Sequence, residues 1–556
     1  MINTSNLKRC TTAWATLMML NPVLSWAQDS TTPAAPLPSV QQAVSNSDTG
    51  SDDEPVFSIA GFEVQGPELV PRNQVMAVLA GFSGRPITFS ELRTATAAVE
   101  RLHALAGFEV VRVLIPEQDV EPGQRLKLQI VDARLDVVQV SGNDFLPAER
   151  VAASLPVLKQ GALINTVDMD KNLRLVNDNP SRIVRVELEP SDKPGLVDAK
   201  VKVSDQSPLA AYVSLDNSGT NATGDFRLGV SLQHNNFLNR DHMASLQYVT
   251  SPGHWSDVEV YGLNYKIPFY ELNSMLEVAY SDSNVNAGSL SLGASSISVQ
   301  GAGTSYAVRW TYLMDRLAGF DQRVTVSQEL KQFVSQVQLN GSGSSLVPNL
   351  ESRPTGVSYS LTEAQDTRTR SAQIAYFKNY VTGGDNSTVR YSQSNSAARA
   401  DFDVFRMSLA WSDQWLGNWR FTAQVDGQYS GNALISGEQF GAGGMYSVRG
   451  FEERVLSGDS GLRESIELQG PNLAKSFGGV FERFMPVVFT EAAQVRLHNA
   501  ASGSPSEPHL MSYGIGARFA FAPRQQFRVD LARVVSGVPI QPQGDVMLHV
   551  SFATAL

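Results

Sequence analysis

The 556-residue chain contains a single cysteine, Cys10, and it lies within the first 27 residues. The rest of the chain can therefore form no disulfide framework and no thiolate metal site. No segment after residue 27 offers the roughly 20 continuous apolar residues that a helix needs to cross a bilayer. A basic surface is also missing. The formal net charge is −11, which argues against general nucleic-acid binding. None of the seven histidines is followed by Glu, so the H-E-x-x-H metalloprotease pattern is absent. No G-x-x-x-x-G-K-[ST] phosphate cradle occurs, and Gly441, Gly443 and Gly444 lack the strand-loop-helix setting of a nucleotide loop.

What is present begins with an export signal. Lys8 and Arg9 precede an apolar stretch from Ala13 to Leu24, and Ser25 and Ala27 are small residues suited to signal peptidase, so residues 1–27 read as cleaved. Residues 28–54 are rich in Ser, Thr, Pro, Asp and Ala, the composition of a linker that cannot fold alone. Within it, Pro38 to Ser45 form a short helix only if they find a partner surface.

Between residues 55 and 134 the pattern is that of a compact mixed unit. Phe57, Ile59, Phe62 and Val64 suggest one strand, and Val75, Val78 and Leu79 a short helix closed by Gly81. Thr88 with Glu91 forms a capping box, Leu92, Ala95, Val99 and Leu102 share a helix face, and Gly107 supplies the left-handed stop. Strands follow at Val111 to Ile115 and Leu126 to Ile130, separated by a turn at Pro122 and Gly123. Residues 135–206 repeat the order β-α-α-β-β, with helices carrying Val151 and Leu155, then Met169, Leu173 and Val176. The strands close at Ile183 to Leu188 and Val197 to Val203. One duplicated unit or two unrelated α+β domains both satisfy this pattern.

From residue 207 onward helical spacing disappears and strict alternation takes over. Phe405, Met407, Leu409 and Trp411 interleave with Arg406, Ser408, Ala410 and Ser412; Trp419, Phe421, Ala423 and Val425 interleave with Arg420, Thr422, Gln424 and Asp426. Leu228, Val230 and Leu232 alternate with Ser231 and Gln233, and Tyr513, Ile515 and Phe519 with Gly514, Gly516 and Arg518. A strand sends successive side chains to opposite faces. Alternation alone fits a soluble sandwich as well as a barrel with lipid outside and water inside. The mean hydropathy of −0.14 permits the barrel, because half of each strand faces water. At roughly 22 residues per strand and connection, residues 207–556 hold about 16 strands. A short turn at Ile267 to Tyr270 contrasts with Ser/Gly-rich stretches at Asn284 to Thr304 and Leu339 to Ser358. The last segment places Val546, Leu548, Val550 and Phe552 opposite Met547, His549 and Ser551, an amphipathic address for barrel-assembly machinery. His103, His234 and His549 read as surface or lumen residues.

At Gly437 a polar segment begins Gly-Glu-Gln-Phe-Gly-Ala-Gly-Gly-Met-Tyr-Ser-Val-Arg-Gly-Phe, in which Val448, Arg449, Gly450 and Phe451 form V-R-G-F. With Pro116 and Gln118 in the first unit, Asn177 and Pro180 in the second, and Asp216, Asn217, Ser218 and Gly219 at the opening of the barrel, it resembles the two-partner secretion outer-membrane transporters of the haemolysin-secretion and haemagglutinin-exporting type. The resemblance covers the whole mature chain. It implies a transmembrane β-barrel of about 16 antiparallel strands preceded by two small α+β POTRA domains. A loop at about 432–465 would fold into the lumen, its Arg449 meeting an acidic residue of an F-x-D-x-G wall motif. The matching segment is Phe489-Thr490-Glu491-Ala492-Ala493, with Glu for Asp and Ala for Gly. Glu can still accept a two-pronged bond from guanidinium, so Arg449 is expected on Glu491, flanked by Phe489 and Ala493. In a wet lumen that pair contributes only ~1 kcal/mol, and more if the loop excludes water.

The resemblance further implies a function. POTRA domains in the periplasm would receive an unfolded client through backbone pairing, and the client would thread the barrel and fold outside. The partners implied are a secreted exoprotein, β-helical with an N-terminal secretion domain, the outer-membrane lipid and the barrel-assembly machinery. No cofactor, metal or catalytic residue is expected. An assembly factor of the same superfamily would carry more periplasmic repeats, and a passive porin would not need Val56 to Val203.

Overall fold

The computed structural model describes residues 56–556 apart from 120, 122, 221–222, 286–287, 293–294, 300–301, 335–347, 416, 501–502 and 504. The export signal, the linker with its short helix, Cys10 and Pro122 lie outside the described residues. The chain divides into two compact units that meet in sequence between Gln206 and Ser207.

The N-terminal unit contains the duplicated pattern. Gly61–Gln65 runs parallel to Arg125–Val131, which pairs antiparallel with Arg112–Leu114. Arg134–Ser141 runs parallel to Leu196–Asp205, which pairs antiparallel with Arg182–Pro190. Both repeats thus share one strand order. The single strand expected from Phe57 to Val64 is two strands, because Val56–Ser58 pairs instead with Pro86–Thr88. Gly123 N–H donates to Ser58 O and Ala60 N–H to Gln124 O, so the chain crosses between sheets at 58–60.

Helix Phe89–Leu105 starts on the Thr88/Glu91 capping box, with both reciprocal bonds formed. Its stripe of Leu92, Ala95 and Val99 packs on Phe62, Leu126 and Leu128 in one core. His103, expected at a surface or in the lumen, is fully buried, with Nδ1 2.8 Å from Val99 O. It lies four residues after Val99 on the core face, where its ring must pack. Gly107 ends this helix region at φ +91°. A Cβ there would stand 2.3 Å from Asn165 Oδ1, so the two repeats abut at a point where only glycine fits. Asn165 caps helix Thr166–Asn177, and Thr166 N–H donates to Gly107 O at 2.8 Å.

The C-terminal unit is a closed antiparallel barrel of 16 strands. In chain order they are β1 Leu209–Asp216, β2 Arg227–Phe237, β3 His242–Thr250, β4 Glu259–Phe269, β5 Ser274–Ser283, β6 Gly303–Leu313 and β7 Asp321–Phe333. Strand β8 is Leu350–Ser352 resumed at Pro354–Ala364, and β9 is Arg368–Asn379, β10 Asp403–Trp415 and β11 Trp419–Tyr429. The wall finishes with β12 Ser460–Gln469, β13 Arg483–Arg496, β14 His509–Ala520, β15 Gln525–Ser536 and β16 Val546–Ala555. Strand β16 closes on β1, from Ser551 opposite Asp216 to Ala555 opposite Tyr212. The burial pattern is inside-out: Ile515 is 61 % exposed while Ser512, two strand positions from Gly514 on the inner face, is 0 % exposed. Val230, Leu232, Trp411 and Leu531 face outward; Ser231, Gln233, Ser408 and Asp530 are buried inward. A soluble sandwich has the opposite arrangement, and a closed ring has no edge strand.

Connections alternate in length. Strands joined at one end are separated in sequence by 238–241, 270–273, 314–320, 365–367, 521–524 and the longer 470–482; those joined at the other are separated by stretches that include 284–302, 334–349, 380–402 and 430–459. The expected turn at Ile267 to Tyr270 falls at 270–273, since Ile267 to Phe269 still pair with Ser274 to Leu276. The connection 284–302 carries a small hairpin, Gly288–Leu292 with Ser295–Val299. The Ser/Gly-rich stretch expected to run to Ser358 ends earlier, where β8 resumes pairing at Leu350. Helix Thr388–Ser394 in the connection 380–402 was not expected, and it is too short to show periodicity.

Candidate functional site

The connection 430–459 is the longest of these excursions, and its middle lies against the inner wall. Strands Phe440–Ala442 and Leu456–Gly458 pair to form its stem. At the tip Val448 and Phe451 are fully buried, packed with Ala442, Ala493, Val495, Leu510 and Val534. Gly450 adopts φ +95°, and a Cβ would come within 3.3 Å of Ala532. Its N–H donates to His549 Nε2 at 2.8 Å. The tip therefore needs glycine both for backbone angle and for close approach to β15.

Among the described residues Arg449 is the largest fully buried side chain, 1 % exposed. Its backbone N–H donates to Glu491 Oε2 at 2.6 Å, and Nε and Nη2 donate to Glu491 Oε1 at 2.9 and 2.6 Å. Nη1 reaches Glu467 Oε2 at 3.0 Å and Asp530 Oδ2 at 3.2 Å. The guanidinium carbon sits 3.3 Å from the centroid of the Phe489 ring, a stacked cation-π contact. Glu491 is 5 % exposed, so this pair belongs to the buried class and not to the hydrated one. Removing one partner of such a pair costs about 3–5 kcal/mol because the other charge is stranded.

The surrounding wall balances the charges. Arg518 donates to Asp530 Oδ1 at 2.7 Å and Glu467 Oε2 at 3.0 Å, and Arg528 Nε to Asp530 Oδ2 at 2.5 Å. Three guanidinium groups face three carboxylates drawn from β12, β13, β14, β15 and the loop. Gly514 and Gly516 make room on β14: a Cβ at Gly514 would strike Phe489 Cζ at 2.3 Å, and one at Gly516 would strike Asp530 Oδ1 at 2.0 Å. Arg463 pairs with Asp426 and donates through Nη1 to Tyr446 O at 2.7 Å.

Of the residues singled out in the sequence, Val448, Arg449, Gly450, Phe451, Phe489, Glu491 and Ala493 converge on one patch of wall. Glu467, Asp530, Arg518 and Arg528 are further members that the motif did not indicate. Among the described residues no group of three metal-binding side chains occurs.

A family model described as "Haemolysin secretion/activation protein ShlB/FhaC/HecB" matches residues 195–519, and one described as "POTRA domain, ShlB-type" matches residues 57–133. The chain belongs to the haemolysin secretion/activation family. It is an outer-membrane, two-partner secretion transporter whose POTRA domains are periplasmic. The outer membrane transporter CdiB of Dickeya dadantii is 24 % identical over 74 % of this chain and 72 % of its own length. The heme/hemopexin transporter protein HuxB of Haemophilus influenzae is 19 % identical over 88 % of this chain and 81 % of its own. In fold, this family member is similar to CdiB from Escherichia coli, with TM-score 0.75 and 17 % identity over 92 % of this chain and 93 % of that one. CdiB from Acinetobacter baumannii gives TM-score 0.69 and 16 % identity over 91 % of both chains.

Proposed function

We propose that this transporter exports an unfolded client protein from the periplasm to the cell surface, with the POTRA domains receiving the client and the V-R-G-F loop governing passage through the lumen. The observation that carries the reading is Arg449, enclosed on the inner wall with Glu491, Glu467 and Asp530. A loop tip held by side-chain ion pairs and a small apolar contact, and not by a continuous ladder, can leave the wall without unravelling a strand. The client is a secreted exoprotein presented as extended chain, the form that pairs with a sheet edge. The reading involves no cofactor and no catalytic group; folding of the emerging client supplies the drive.

Arg449→Ala tests it. Export of the client to the medium should fall while the barrel still inserts, as seen by its heat-modifiable migration. Undiminished export by an inserted variant would overturn the loop's role.

A further inference from the structure

The base of the inward loop carries a buried acid that the V-R-G-F tip does not explain. Glu438 lies in the short helical turn Ser436–Glu438, 2 % exposed. Both its carboxylate oxygens accept from Lys331 Nζ at 3.2 Å; Oε1 also accepts from Ser352 Oγ at 2.7 Å, and Oε2 from Arg406 Nη2 at 3.4 Å. Its backbone carbonyl accepts from Gln428 Nε2 at 2.9 Å. The preceding Gly437 lies on the Phe333 ring, where an added Cβ would meet Cε1 at 2.2 Å. Lys331 and Phe333 are two apart on β7 and so share its inner face.

These contacts partition the wall. Glu438 and Gly437 touch β7, β8, β10 and β11, whereas the Arg449 cluster and Gly450 touch β12 to β16 without overlap. The wall side of the base is itself charged in alternation: Lys331 pairs with Glu329 at 3.1 Å, and Glu329 lies 3.7 Å from Arg309, which pairs with Glu277 at 2.9 Å. A carboxylate at position 438 completes this series at its open end, next to two cations.

We propose that Glu438 is a positioning residue for the pore loop, a second anchor that fixes the loop's base to β7, β8 and β10 independently of the tip. This rests on the reading of the loop as the barrier in the lumen. Freeing the tip alone then leaves the loop strapped by its base, and full clearance requires both anchors to let go. Neither anchor shares a partner with the other, so their effects should combine and not substitute for one another.

The test uses the full chain reconstituted in planar lipid bilayers, comparing wild type, Arg449→Ala, Glu438→Gln, the double variant, and a chain lacking residues 440–457. The loop-deleted chain defines the cleared conductance. Arg449→Ala should visit that level rarely, and the double variant should occupy it about tenfold more of the time. Glu438→Asp, which keeps the charge, should stay near wild type. Lys331→Gln removes the same pair from the wall side and replaces Glu438→Gln if that variant fails to insert. A double variant no more open than Arg449→Ala, beside a loop deletion that does raise conductance, overturns the second anchor alone. A loop deletion with wild-type conductance overturns the barrier reading and the anchor with it.

Discussion

The Arg449 side chain makes four hydrogen bonds, more than the three N–H groups of a lysine could donate. Its guanidinium carbon sits over the Phe489 ring while Nε and Nη2 donate to Glu491 and Nη1 is shared between Glu467 and Asp530. A lysine is a point charge without a planar fork, so Arg449→Lys should leave export well below wild type, between the alanine variant and the parent, when client is measured in the medium. The same geometry rules on charge exchange. Arg449→Glu with Glu491→Arg would put the new carboxylate beside Glu467 and Asp530, so export should remain at the level of either single variant; recovery to wild type would show that the Glu491 contact alone matters. The Arg449–Glu491 contact was legible because both residues sit in short motifs. Glu467 and Asp530 were not, since alternation assigns a side chain to the inner face but says nothing of which inner residues stand level across strands. Register depends on pairing between strands distant in sequence.

At the scale of elements, local signals read well where they act within a few residues. Thr88 and Glu91 satisfy each other's backbone N–H groups as the spacing required. Thr88→Ala should weaken helix Phe89–Leu105 by about 1 kcal/mol, seen as roughly fivefold faster hydrogen exchange of its first-turn amides. The residues quoted for family likeness had no legible role until their partners were in view. Gln118 donates Nε2–H to Lys127 O at 2.9 Å and accepts Lys127 N–H at 2.8 Å; Asn177 does the same to Val184 at 3.0 and 2.7 Å. Asn217 donates to Leu548 O and accepts from Val550 N–H across the barrel closure, at 2.8 and 2.7 Å. Each carboxamide stands where a neighbouring strand's peptide group would be. Asn177→Ala should strand the Val184 N–H and C=O and destabilise the second repeat by about 1–3 kcal/mol, whereas Asn177→Gln, with its amide displaced by one methylene, should recover only part of that. Equal stability of Asn177→Ala and the parent in urea would refute the role.

At the scale of the molecule, the inside-out distribution resolves why composition is ambiguous. The outward band of Val230, Leu263, Trp411 and Ile515 suits hydrocarbon, while Ser231, Ser408, Asp426 and Asp530 line the interior, so the mean hydropathy records neither. Strand number was legible from segment length, and the inward excursion of 430–459 only through the V-R-G-F resemblance; periodicity does not show it, because its stem is three residues a side and its hold on the wall combines buried charges with the packing of Val448 and Phe451. The barrel closes through its own ladder from β1 to β16, which predicts that it inserts without the first POTRA repeat. Removing residues 57–133 should therefore leave a heat-modifiable barrel in the outer membrane, abolish export of the dedicated client, and leave other outer-membrane proteins at normal levels by quantitative proteomics. A general fall in those proteins would instead favour an assembly factor, and unchanged client export would leave only a pore with an ornamental soluble unit. The first outcome is expected because that repeat has its own closed core, running from Ile59 through Val99 to Ile130, and carries no strand of the barrel wall.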